Sequence, residues 1–256
     1  GYQKIQINGK WENWTDIEDS PANRPQSQAR PIHATPTSSP VTNSPQKKLN
    51  TRSIATNNKL TVATLNVRTL AGEEKLTELE GALEHTLIDN LGIGEVRRQG
   101  NALLETKTGN LFSYMGTTNT QKGVGFLFSR RIKDKVSEVI GISDRIAIAK
   151  IIINDHQISI FQVYAPTSTH KEEEVDSFYE DLDNAINTHK SALNFVMGDF
   201  NSKIGKRTKP SECNTIGQYG LGERNGRGER LMQFALGQKL KIANTFFKKP
   251  PKRKWT

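Results

Sequence analysis

The sequence predicts an α/β domain over residues 59–256, and two observations carry that prediction. Short runs rich in β-branched residues recur from residue 60 onward, and between them lie stretches whose apolar residues repeat at helical spacing. The preceding segment, residues 1–58, is expected to be a low-complexity N-terminal tail: residues 20–58 are rich in Ser, Pro, Thr, Asn and Gln and carry too little apolar surface to offset the entropy of ordering. Tyr2 to Trp14 alternates weakly and contains two of the three Trp residues. It reads as translated sequence outside the domain, with a short interaction motif as the alternative.

Residues 60–65 (LTVATL) form the first expected strand, and a helix with Leu76, Leu79, Leu83 and Leu87 on one face follows. A second short strand spans residues 90–96. Residues 123–128, 136–142, 145–153 and 157–164 are then strands without an intervening helix, which predicts antiparallel pairing among them. Asn154, Asp155 and His156, between two β-branched runs, mark a hairpin turn. Thr169 and Glu172 have capping-box spacing ahead of a helix striped by Val175, Phe178, Leu182 and Ile186. Residues 192–197 are the strand that delivers Gly198-Asp199-Phe200-Asn201 at its C-terminal end. A helix near residues 229–238 and a strand at 239–245 complete the pattern.

Charge is unevenly spread. Lys plus Arg number seven against four Asp plus Glu in residues 1–58, 15 against 20 in residues 59–202, and 14 against three in residues 203–256, which sums to the net +9 of the chain. A carboxylate-rich middle beside a basic flank suits a protein that holds a metal ion and attracts phosphates, so DNA is the expected partner. Cys213 is the single cysteine, which excludes an internal disulfide or a thiolate cluster. No apolar run reaches the roughly 18 residues of a membrane span. A nuclear location is expected, with the cytoplasm as the alternative.

Polar residues end several of the apolar strands: Asn66, Glu95, Tyr164, and Asp199 with Asn201. Asn, Asp and Gly are common at strand ends for conformational reasons alone, and a Tyr there usually packs. As a set, however, they are coherent for phosphodiester hydrolysis. Glu95 supplies hard oxygens for Mg²⁺ (or Mn²⁺), which needs only one or two protein carboxylates. Asp199 can position or deprotonate a water, Asn66 and Asn201 can hold phosphate oxygens, and Tyr164 can donate a hydrogen bond. Arg68, Arg97, Lys203, Arg224, Lys252 and Arg253 are the candidate nucleic-acid contacts.

Five motifs occur in order: TLNVRTL (64–70), LGIGEVR (91–97), QVYAPT (162–167), VMGDFN (196–201) and YGLGERN (219–225), the last followed by GERL (228–231). Together they resemble the endonuclease/exonuclease/phosphatase superfamily, and within it the endonuclease domains of RTE-type non-LTR retrotransposons and craniofacial development protein-like sequences. The resemblance covers roughly residues 60–256. It implies a four-layered α/β sandwich, two packed mixed sheets flanked by helices, with the active site at one edge of the paired sheets. It also implies the individual roles: Asn66 at the phosphate and metal, Glu95 as metal ligand, Tyr164 on the phosphate, Asp199 activating water and Asn201 stabilising the transition state. The family continues past a Trp-Thr such as Trp255-Thr256 into a strand bearing Asp and then a Ser-Asp-His motif. The expectation is therefore a C-terminally truncated domain with impaired activity. The competing expectation is an inactive nucleic-acid-binding or chromatin-associated scaffold.

Overall fold

The computed structural model describes residues 4–7, 59–117 and 121–249. Sheet one contains β2 (Val62–Asn66), β3 (Asn90–Gly94), β4 (Gly100–Glu105), β5 (Leu111–Gly116) and β6 (Val124–Phe128), in the spatial order β2-β3-β6-β5-β4. Sheet two contains β1 (Lys4–Ile7), β7 (Val136–Ser143), β8 (Ile146–Ile153), β9 (His156–Tyr164), β10 (Leu193–Asp199) and β11 (Leu240–Ile242), in the order β11-β1-β10-β9-β8-β7. Both sheets are mixed, because β2 runs parallel to β3 and β9 parallel to β10. The helices are α1 (Glu73–Leu83), α2 (Glu172–His189) and α3 (Gly226–Gly237).

Alternation along each strand builds the layers, since successive side chains leave opposite faces. In β8, Ile146 and Ile148 join Phe161, Val163 and Val196 under Val175, Phe178, Leu182 and Ile186 of α2 and Leu231 and Ala235 of α3. Ala147, Ala149 and Ile151 point the other way, where with Ile160 and Met197 they meet Val124, Phe126 and Phe128 of sheet one. The outer face of sheet one, with Ala63, Leu91, Ile93 and Leu127, packs on Leu76 of α1. Helix, sheet, sheet and helices thus form the four-layered sandwich the motifs imply. Each fully buried Phe or Ile contributes about 1.5–3 kcal/mol relative to exposure.

One polar contact interrupts the apolar layer between the sheets. Thr64 of β2 donates its hydroxyl to Gln162 Oε1 of β9 at 3.0 Å, and both residues are buried. Gly92 on β3 makes room for it: a Cβ there would lie 2.0 Å from Gln162 Oε1 and 2.6 Å from Met197 Cε. Thr64 and Gln162 each lie two residues before Asn66 and Tyr164, on the same strand faces, so this bond registers the sheets just inside the strand ends.

Several elements differ from the sequence reading. The four consecutive strands split: β6 pairs with β3 and β5 in sheet one, and only β7, β8 and β9 form an antiparallel meander. Asn154 (φ 48°) and Asp155 (φ 62°) make the tight turn between β8 and β9, as their residue types predict. The β4–β5 hairpin is additional; its first strand, whose residues are all exposed or half-buried, lacks an apolar stripe that would announce it. Leu87 lies past the end of α1 and is exposed, because the helix stops at Leu83. The N-cap of α2 is Lys171 without a side-chain cap, and Thr169 bonds Thr167 instead. The three glutamates at 172–174 favour that terminus through the helix dipole.

Within the expected tail, Lys4–Ile7 pair antiparallel with both β10 and β11 and fill a one-strand gap between them. Backbone pairing on two sides supplies what four residues of sequence pattern could not signal. The rest of the expected tail lies outside the described residues.

Gly92→Ala is expected to destabilise the domain by about 1–3 kcal/mol through overpacking, read as a lower urea midpoint at an unchanged slope. Gly81→Ala, in the interior of α1 with nothing within 4 Å of the added carbon, is expected to raise stability by up to about 1 kcal/mol.

Candidate active site

The ends of β2, β3, β9 and β10 meet at one edge of the paired sheets. Asn66 closes β2, Tyr164 closes β9 and Asp199 closes β10, all on the faces that look between the sheets, while Glu95 directly follows β3. Asn66 Nδ2 donates to Glu95 Oε1 at 2.6 Å and reaches Asp199 Oδ2 at 3.5 Å, so one amide stands between two carboxylates from different sheets. Both neighbours are acceptors when ionised, which fixes the amide with its NH₂ towards them. Its Oδ1 accepts the backbone N–H of Arg68 at 3.2 Å. Asp199 Oδ1 accepts the N–H of Asn201 at 2.9 Å, and Asn201 Nδ2 donates to the Ala165 carbonyl at 2.7 Å, tying the end of β10 to the loop after β9.

The backbone here is unusual. Arg68 (φ 61°), Glu95 (56°), Arg97 (56°) and Asn201 (47°) are non-glycine residues in the left-handed region. Such conformations are unfavourable and persist where surrounding contacts over-determine them. Around Glu95, Val67 N–H donates to Gly94 O at 3.1 Å, Val96 N–H to Gly123 O at 3.1 Å, and Arg97 N–H to Lys122 O at 3.0 Å. The result turns Glu95 out of the β3 alternation and towards Asn66.

Burial alone would raise the Glu95 pKa. Hydrogen bonds from Asn66 and Arg97, the charge of Arg97 and a hydrogen bond from Tyr164 outweigh it and hold the carboxyl below its ordinary range. The Tyr164 phenol is displaced upward, first by burial and then by the charge and hydrogen bond of Glu95 and the charge of Asp199; Arg145 opposes the shift. Glu95 is thus kept ionised and Tyr164 protonated. Among the described residues no three His, Cys, Asp or Glu side chains form a metal-binding cluster. Two carboxylates beside an amide nevertheless suit Mg²⁺ or Mn²⁺, which retains waters and takes further oxygens from substrate.

Of the candidate nucleic-acid contacts, Arg68 and Lys203 are exposed beside the site. Arg97 pairs with Glu95 Oε2 at 2.7 Å. Arg224 is a correction: its side chain is only 9% exposed and its guanidinium is held by Glu212 and Glu229 at 2.9 Å and by the Ile204 carbonyl at 3.0 Å, so it is unavailable to a phosphate. It braces the loop after β10 instead. Lys252 and Arg253 lie outside the described residues. His156 begins β9 while Tyr164 ends it, which puts that histidine roughly 27 Å from the site at about 3.4 Å per residue. Thr64, Gln162 and Arg145, which shape the site from beneath, were not singled out from sequence; a polar residue two positions before a strand-end site residue is the signal that points to Thr64 and Gln162.

Two mixed sheets packed face to face, with Asn66, Glu95, Tyr164, Asp199 and Asn201 meeting at their edge, are the arrangement that the resemblance to the endonuclease/exonuclease/phosphatase superfamily implies, and the likeness to craniofacial development protein sequences is borne out. Over 197 residues, 76% of this chain, it is 32% identical to craniofacial development protein 2 of Bos taurus and 31% identical to the protein of the same name of Tragulus javanicus. It spans about a third of the length of these relatives (32% and 33%). No family model matches the chain. Similar solved structures include the endonuclease domain of TRAS1, a telomere-specific non-LTR retrotransposon, at 13% identity and TM-score 0.46, covering 70% of this chain and 71% of that one. An AP endonuclease from Leishmania major (12%, TM-score 0.47, 70% and 66%) and a 3′ phosphatase from Neisseria bound to product DNA hairpin (14%, TM-score 0.48, 70% and 71%) are similar as well.

The Glu212 carboxyl is pulled from 4.5 to about 2, chiefly by the hydrogen bonds of Arg224, against its burial and with help from the Thr208 N–H. Because its folded pKa is depressed, its stabilisation is present above the ordinary value and is lost as pH falls from about 4.5 towards about 2. Glu212→Gln is expected to destabilise the neutral protein by about 3–5 kcal/mol. Its deficit relative to wild type should shrink across that acid interval in denaturant melts.

Proposed function

We propose that this domain is a divalent-metal-dependent phosphodiesterase that nicks DNA. The observation that carries the reading is the placement of Asn66 between Glu95 and Asp199, with Tyr164 on Glu95 and Asn201 on Asp199. Glu95, with Asp199 nearby, would hold the ion, and the ion would neutralise charge on the scissile phosphate. Asp199 is placed to accept a proton from an attacking water. Its other oxygen is already fixed by Asn201 N–H, which orients the free lone pairs. Tyr164 and Asn66, whose donors face Glu95 and Asp199 in the free site, would turn them to phosphate oxygens from positions the sheets set before substrate arrives. Exposed Arg68 and Lys203 extend positive charge from the site along a nucleic-acid backbone.

DNA as substrate draws on the five motifs, on the basic balance of residues 203–256, and on the nucleases similar to the chain in fold. A retrotransposon-derived origin and a nuclear location belong to the same reading.

A second reading has its own observation. Both Glu95 oxygens already accept hydrogen bonds, and the Arg97 guanidinium stands at Oε2, so the site is electrostatically closed without any ion. In that reading the domain binds nucleic acid as a scaffold without cutting it.

Supercoiled plasmid nicking decides between them. With Mg²⁺, the chain is expected to convert supercoiled to open-circular DNA. EDTA and the double variant Glu95→Ala, Asp199→Ala are each expected to abolish conversion. Salt-dependent DNA retention without nicking would instead support the scaffold.

A further inference from the structure

Beneath Tyr164 lies a buried cation on which the nearest carboxylates, Asp144 and Glu174, act only from beyond ion-pair distance. Arg145, immediately before β8, is 8% exposed, and among the described residues no carboxylate lies within 4.0 Å of its guanidinium. A guanidinium stays protonated in proteins, so its charge must be balanced by hydrogen bonds and more distant groups. Nη1 donates to the Tyr164 carbonyl at 3.1 Å, and the guanidinium carbon lies 5.7 Å from the centre of the Tyr164 ring. The Tyr164 N–H in turn donates to the Arg145 carbonyl at 2.9 Å. The same arginine therefore grips both the peptide and the ring of the site tyrosine.

The other end of the guanidinium is held by a histidine. Nη2 lies 3.0 Å from His170 Nε2. Facing a permanent donor, Nε2 is placed to accept, while Nδ1 is held on its other side by Thr167, whose backbone N–H donates to it at 3.1 Å and whose Oγ1 lies 2.8 Å away. The His170 carbonyl accepts from Arg227 of α3 at 2.9 Å, and Arg227 also pairs with Glu172 of α2 at 2.8 Å. The contacts run without a break from α3 through His170 and Arg145 to Tyr164, whose phenol is near enough to Glu95 for that carboxylate to push its pKa up.

We propose that Arg145 is the positioning residue for Tyr164 and that His170 locks it in place, so that the phenol is presented to Glu95 and to substrate in one orientation. The proposal rests on the reading of Tyr164 as a site residue. His170 does not touch Tyr164 in this scheme and acts only through Arg145. A merely structural pair would seal the loop after β9 and affect stability alone; a positioning pair transmits a change at residue 170 to the ring of residue 164.

The test uses the full chain labelled with 3-fluorotyrosine and followed by fluorine NMR, with the Tyr164 signal assigned by its loss in Tyr164→Phe. His170→Leu and Arg145→Met are expected to shift and broaden the Tyr164 signal while those of Tyr114 and Tyr179 stay unchanged. His170→Gln, which keeps an acceptor for Arg145, is expected to retain the wild-type signal, and Arg145→Lys to restore it in part. A Tyr164 signal unmoved in His170→Leu, with only the melting temperature lowered, would overturn the proposal. The two His170 variants decide the matter even where Arg145→Met does not fold. In a nicking assay, His170→Leu is expected to lower kcat roughly tenfold, about 1.4 kcal/mol of barrier, at a nearly constant KM. Absence of nicking in the wild-type chain would remove the proposed function and leave the NMR comparison to judge this inference.

Discussion

A single hydrogen bond across the interior, from Thr64 of one sheet to Gln162 of the other, sets the constraint on which the site depends. Asn66 and Glu95 belong to one sheet, Tyr164, Asp199 and Asn201 to the other, so the constellation exists only when the sheets meet in one register and at one spacing. Apolar faces tolerate sliding, because methyl groups pack nearly as well one step along. A buried hydroxyl and amide do not, since leaving either unmade costs about 1–3 kcal/mol. Gly92 completes the device by letting the amide side chain cross where any Cβ would block it. Among the described residues the Gln162 Nε2 group has no partner, so the crossing is held through its oxygen.

Once the sheets are registered, the loops do the fine placement. Positive φ at Glu95 and Asn201 lifts two side chains out of strand alternation and aims them at Asn66 and Ala165. The Arg224, Glu212 and Glu229 network fixes the loop after β10, and the Asn225 side chain accepts the Lys203 N–H at 3.0 Å, which leaves the Lys203 side chain exposed beside the site. Strain and buried charge thus gather around the proposed chemistry, while the buried faces of the helices and the largely apolar space between the sheets supply the stability that offsets them.

Much of this was legible in the sequence because the site residues sit at the ends of apolar strands. The five motifs in order identify the strands that must be neighbours, whereas the period-two placing of Asp199 and Asn201 on one side fails at Asn201, which lies past the end of β10 with φ 47° and turns to the Ala165 carbonyl. What escaped is what depends on partners distant in sequence. Arg224 reads as a free cation until Glu212 and Glu229 fold around it. The Thr169 and Glu172 spacing suggests a cap, yet the helix begins at Glu172 itself with Lys171 as its N-cap, and the Thr169 hydroxyl finds Thr167. Lys4–Ile7 is too short to announce a strand and becomes one between β10 and β11. Arg145 resembles any charge at the start of a strand until β9 and the loop bearing His170 close over it.

The central claim is that Glu95 and Asp199, brought together from two sheets, form one divalent-cation site. Manganese binding followed by electron paramagnetic resonance tests it most directly, with wild type compared against Glu95→Gln, Asp199→Asn and Gly92→Ala under conditions where each remains folded. The account predicts one bound ion in wild type, weakened by at least about tenfold in both carboxylate variants and also in Gly92→Ala, whose change lies between the sheets and away from the ion. Manganese binding indifferent to all three substitutions, or none in wild type, would contradict it.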